Sequence, residues 1–149
     1  MTISFSTKGS LKSLIKKLDN INKDFNSGEF LEDTAKLLNG SIQIRVQKKG
    51  EGIDGKKMKR KDGEPYSMDY ADFRLSKNRQ ILFRDLTFSG KMWQSLTTSK
   101  RKNQAKMFFG NAESINKASG NQKRTPFFGL APREKILLKK EIDNLIKSL

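Results

Sequence analysis

Residues 81–110 read Ile81-Leu-Phe-Arg-Asp-Leu-Thr-Phe-Ser-Gly90-Lys-Met-Trp-Gln-Ser-Leu-Thr-Thr-Ser-Lys100-Arg-Lys-Asn-Gln-Ala-Lys-Met-Phe-Phe-Gly110. The stretch holds the only Trp and much of the apolar weight of the chain. It predicts a short turn or helix that feeds a β-hairpin. Gly90 permits a bend, after which Met92, Trp93 and Leu96 face one core together with Leu86. Ala105, Met107 and Phe109 alternate with polar or outward positions, the period of a strand with one buried face. Between the strands, Lys100-Arg101-Lys102-Asn103 is a polar break of loop length, so the hairpin tip is expected to be a small cationic knob.

Upstream of the hairpin the pattern is helical. Met1–Ser6 alternates like a short edge strand. Ser10 can cap a helix over Ser10–Phe25, with Leu11, Leu14, Ile15, Leu18, Ile21 and Phe25 on one face. A second helix is expected over Asn26–Gly50, opened by an Asn26/Glu29 capping box. Its inner face is Phe30, Thr34, Leu37, Leu38, Ser41 and Ile42, with Gly40 allowing a close crossing and Gly50 closing the helix. Residues 50–80 read as one irregular region, punctuated by Gly52, Gly55, Gly63 and Pro65. Within it lies the basic run Lys56-Lys57-Met58-Lys59-Arg60-Lys61. That run suits either a solvated loop or a phosphate or acidic-surface contact that orders on binding. Tyr66 and Tyr70 are placed to anchor it to the body.

Downstream, Asn111–Lys117 suggests a short helix stopped by Ser119-Gly120-Asn121. Arg124-Thr-Pro-Phe-Phe-Gly-Leu130 reads as a loop pinned into the core by Phe127 and Phe128, because aromatic rings bury a large area. Ala131–Leu149 is a closing helix with Pro132 at its first position. Glu134 sits in its first turn, and Leu138, Ile142, Leu145, Ile146 and Leu149 share one face.

Composition excludes much. A chain of 149 residues suits one domain, and 34% hydrophobic against 32% charged residues leaves a thin core. There is no apolar run of membrane-spanning length and no signal-peptide pattern, so manufacture and use in a cytoplasm, or in a particle assembled there, is expected. The absence of Cys and His removes disulfides, thiol nucleophiles, the usual zinc ligands and the usual neutral-pH base. Catalytic, cofactor and metal residues are therefore expected to be none; Asp69 and Asp72 are the nearest approach to a carboxylate cluster. The formal net charge of +15 points to nucleic acid or acidic protein partners. The basic candidates for such contacts are Lys56, Lys57, Lys59, Arg60, Lys61, Lys100, Arg101 and Lys102.

The order of these pieces resembles the phage virion morphogenesis family, the tail-completion or neck proteins of tailed bacteriophages. Three motifs carry the resemblance, across about Phe30 to Leu149. One is a helix ending in Ile42-Gln-Ile-Arg45 before the Gly-punctuated loop at Gly52–Lys59. Another is Ile81 to Met92, similar to the family's I-L-x-x-T-G-x-L-x-x-S block, with Ser95 at the final position. The third is Arg124 to Leu130, similar to the family's R-P-F-L-G-L. Ser89-Gly90 stands where the family has Thr-Gly, Thr125 separates Arg124 from Pro126, and Tyr66 stands in for a Trp often found in the loop. Leu86, Gly90, Trp93, Phe127, Phe128 and Gly129 are the core and motif positions.

The resemblance implies a single domain of α+β class. Its sheet would be small, twisted and mainly antiparallel, with helices packed on one face, a long basic loop and a C-terminal helix. It implies a structural virion protein forming a ring, a hexamer in expectation, that completes the tail and joins it to the head connector. Its neighbours would be the connector or adaptor and the tail tube or terminator proteins, with non-specific contact to genomic DNA and none to membrane. A tail terminator capping the tail tube is the alternative within that class. A non-specific DNA-binding protein is the alternative from another.

Overall fold

The computed structural model describes residues 13, 15–20, 22–23, 28–101 and 104–148. The strand expected at 1–6, Asn26 and Leu149 lie outside the described residues, as do residues 10–12, 14, 21, 24 and 25 of the helix expected over 10–25, of which residues 13, 15–20 and 22–23 are helical. The architecture is mixed α+β: a small two-stranded antiparallel sheet with helices packed against it. In chain order the elements are α1 (Glu29–Gln43), continuing into a π-helical turn (Ile44–Lys48), α2 (Met68–Ser76), α3 (Lys91–Gln94), β1 (Leu96–Arg101), β2 (Gln104–Phe109), α4 (Ala112–Arg124) and α5 (Pro132–Lys147).

The expected hairpin is present. β1 and β2 pair in the register Leu96↔Phe109, Thr98↔Met107 and Lys100↔Ala105. Ala105, Met107 and Phe109 turn inward while Gln104, Lys106 and Phe108 turn outward. The expected four-residue tip is shorter, because Lys100 and Arg101 are ladder residues of β1. Gly90 does provide the bend: it caps α3 at φ 80, a left-handed conformation that disfavours any Cβ. Met92 and Trp93 then enter the core directly.

α1 explains the other side of that core. Thr34, Ala35, Leu38 and Ile42 recur at helical spacing and are buried, whereas Leu37, expected inside, is exposed. The N-cap is Gly28, not Asn26, and no side chain caps the helix. Gly40 has open space around it, so no close crossing forms there. Gly50 closes the helix as expected, with φ 63 and its N–H donating to Val46 O. A Cβ at Gly50 would also lie 2.8 Å from the Phe83 side chain, so glycine is required twice over.

The core cluster is Ile42, Val46, Met58, Met92, Trp93, Leu96, Phe109, Ala118 and Phe127, with Leu86 and Phe128 packed against it. Trp93 meets Phe127 edge-on at 5.7 Å and Phe109 at 6.3 Å; its buried Nε1–H has no partner among the described residues. Met58 is 2% exposed and its N–H donates to Gly50 O. The basic run is therefore fastened at its middle, not a free solvated loop. The region expected to be irregular contains α2, and α4 runs through Ser119-Gly120-Asn121 instead of stopping there. Asn111 caps α4 through a bond from Ser114 N, and Gly120 is tolerated because it lies on the exposed face with nothing near it. On α5 the apolar face is only half covered: Leu138 and Leu145 are partly buried, while Ile142 and Ile146 are exposed.

α5 is held instead by an ion pair. Glu134 and Arg45 are both almost fully buried. Arg45 donates from Nε to Glu134 Oε1 (3.1 Å), from Nη1 to Glu51 O (3.0 Å), and from Nη2 to Phe127 O (3.0 Å) and Gly129 O (2.9 Å). Glu134 also accepts from Ser41 Oγ and from Ala131 N, the latter closing the first turn of α5. Removing one partner of such a pair strands a buried charge. Glu134→Ala is expected to lower stability by about 3–5 kcal/mol in urea unfolding followed by Trp93 fluorescence. Arg45→Met combined with Glu134→Leu should cost clearly less than the two single losses added together. Strict additivity would show that the two side chains act independently.

Candidate functional site

A second polar cluster shapes the surface on which the charge gathers. Arg74, on α2, is 1% exposed. It donates to Gln80 O, to Thr87 O and to both Asp85 oxygens (3.2 and 3.0 Å). Asp85 further accepts from Tyr66 Oη at 2.9 Å, from Gln80 Nε2 and from Thr87 N. The Tyr66 ring lies over the Arg74 guanidinium at 4.5 Å. Tyr66 thus anchors the loop to the body as expected, with Tyr70 edge-on to it at 5.4 Å. The ring series continues through Phe73 to Phe88, which stack at 5.5 Å. Between Asp85 and Thr87, Leu86 adopts φ 51, a sparsely populated conformation for a non-glycine residue that needs its surroundings to hold it. The Asp85 bonds do so.

Arg84 lines a groove of about 1100 Å³ together with Arg74. Lys59, Arg60 and Lys61 line it, as do Lys123 and Arg124 at the end of α4, and Tyr66, Tyr70 and Phe88. Arg84 donates to Thr125 Oγ1 at 3.0 Å and Asn121 Oδ1 at 3.3 Å. Burial is the main cause that lowers its pKa, with Tyr66 opposing and the like charges of Arg124 and Arg60 adding to the drop. Arg60 pairs with Asp62 at 3.2 Å. Lys59, Lys61, Arg84, Lys123 and Arg124 form no ion pair among the described residues.

The sequence candidates are thereby divided. Lys59, Arg60 and Lys61 line the groove. Lys56 sits in the turn bonded back to Gly52, and Lys57 donates to Lys49 O and pairs with Glu51 at 4.0 Å. Lys100 pairs with Glu32 at 3.4 Å. Lys36 first, and Lys100 after it, hold the Glu32 carboxyl below its ordinary range. Arg101 is exposed on β1, and Lys102 lies outside the described residues. Lys100 and Arg101 do not line the groove that Lys59–Lys61 line. Lys123 and Arg124 were missed because α4 was expected to end before them, although the adjacent pair was an available signal; Arg84 was missed because it lies in the segment between α2 and α3, where nothing local marks it. Among the motif positions, Leu86 and Gly90 line the groove, whereas Trp93, Phe127, Phe128 and Gly129 belong to the core and its loop. Asp69 and Asp72 are exposed on α2, and among the described residues no group of three or more metal-ligating side chains is placed to hold an ion.

The Tyr66 phenol has its pKa raised, chiefly by burial. The folded state therefore favours the neutral phenol, while the unfolded chain begins to ionise near pH 10. This contribution is intact below about pH 10 and is lost as pH rises beyond it. Tyr66→Phe is expected to flatten the fall in stability between about pH 9 and 11. It should also lower neutral-pH stability by about 1 kcal/mol through the lost bond to Asp85. Urea midpoints measured across that pH range check both effects.

No protein-family model, curated protein or solved structure matches this chain.

Proposed function

We propose that this chain is a structural virion protein of the phage neck or tail end. In this reading copies form a ring that completes the tail and joins it to the head connector, after assembly in the host cytoplasm. The observation that carries the reading is what the motif residues do. Arg45, from the first motif, donates to the carbonyls of Phe127 and Gly129 in the third. Trp93, directly after the second, packs edge-on against Phe127. The residues that carry the resemblance are thus the scaffold of one core, which suits a family defined by shape and assembly and not by a reaction. No catalytic step enters the proposal, for the chain has neither His nor Cys.

A ring needs apolar surface that the monomer leaves uncovered. α5 offers Ile136, Ile142 and Ile146, and α1 with its π turn offers Leu37 and Ile44. No helix among the described residues is long and apolar enough to cross a membrane. The tail-terminator alternative shares the ring and differs in what fails without it.

Electron microscopy of lysates from a phage lacking this gene tests the proposal. Separate DNA-filled heads and tails of normal length are expected. Overlong tails would replace the joining role with the terminator role, and intact infectious particles would overturn both.

A further inference from the structure

We infer that the groove lined by Lys59–Lys61 and Lys123–Arg124 is a binding site for single-stranded nucleic acid, with Arg84 among its cations and Tyr70 and Phe88 as stacking surfaces. The inference goes beyond the assembly reading and stands without it.

Three features of the groove carry it. Lys59, Lys61, Arg84, Lys123 and Arg124 come from separate segments, converge on one groove and have no carboxylate partner among the described residues. Arg84 is half-buried, and its pKa is lowered by burial and by the like charges of Arg124 and Arg60; a phosphate entering the groove relieves that repulsion. The same groove is lined by aromatic rings. Tyr70 and Phe88 line it while remaining 39% and 37% exposed. Cations that track a backbone, joined to rings on which bases stack, are the combination that single strands require. An acidic protein segment needs the cations but gives the rings no comparable role. The sequence shows no aromatic residue inside the basic run; only the fold brings Tyr66, Tyr70 and Phe88 against it.

The test is fluorescence anisotropy with a labelled single-stranded oligonucleotide and a duplex of equal length, across a NaCl titration. The full chain is compared with a groove variant (K59E/K61E/K123E), a control variant of equal charge change on exposed positions of α5 (K135E/K139E/K140E), and Tyr70→Ala. The single strand is expected to bind more tightly than the duplex. The groove variant should weaken it by at least about tenfold at low salt and reduce the slope of log K against log[salt] by about 2, for three lost phosphate contacts. The control should change affinity by less than about threefold. Tyr70→Ala should weaken single-strand binding by about tenfold with the slope unchanged. Three results would overturn the inference: a control variant as damaging as the groove variant; a duplex bound as tightly as the single strand with Tyr70→Ala silent; or polyglutamate displacing the oligonucleotide as well as unlabelled oligonucleotide does.

Discussion

The contact between Arg45 and Glu134 joins residues 89 positions apart, and it ties the start of α5 and the Phe127–Gly129 loop to the π turn that ends α1. The two-stranded sheet offers few ladder positions, so loop carbonyls that face the interior need other donors. The Arg45 guanidinium supplies them to Glu51, Phe127 and Gly129. A hydrophobic side chain of the same size would leave those oxygens unpaired, each at a desolvation cost. Glu134 is then needed to balance the buried cation, and through Ala131 N it also fixes where α5 begins. One planar group with five donors stands in for several strands.

The same device appears a second time. Arg74 and Asp85 order the segment from Tyr66 to Thr87 much as Arg45 and Glu134 order the segment from Glu51 to Ala131. With 34% hydrophobic residues the apolar cluster alone holds few of the loops. The two buried arginines distribute order over stretches that bury little apolar area. They also explain how Leu86 persists at positive φ: Asp85 bonds on both sides of it define the corner. Of the two arginines that line the groove, Arg74 is matched by a carboxylate and Arg84 is not.

Local periodicity made the elements legible where one face is buried. Ala105, Met107 and Phe109 gave the strand, Thr34 to Ile42 the helix, and Phe127 the pinned loop, because each is a contrast between neighbours in sequence. What failed was of two kinds. Gly120 reads as a stop, but on an exposed helix face a glycine costs only about 1 kcal/mol, which the Asn111 cap and the burial of Ala118 can offset. The roles of Arg45, Arg74 and Glu134 were hidden for a different reason. A charged residue in a helix usually signals its solvent side, and only partners distant in the chain reverse that. The groove follows the same rule, since its lining draws on residues 59–61 and 123–124, which no local window holds together.

With 31 basic and 16 acidic side chains, one-to-one pairing would leave nearly half of the cations unpaired, so lack of a partner says little for a lysine that reaches into water. Arg84 differs. Its bonds to Thr125 Oγ1 and Asn121 Oδ1 are ones that a neutral donor can make, so its charge is surplus to the local structure. That charge is nonetheless held half-buried among Arg60 and Arg124, where removal from water and like-charge repulsion both work against it. An exposed lysine face carries no such burden. A cation kept at a cost in the free chain gains from an anion entering the groove, and a gain of that kind appears only when the groove is filled.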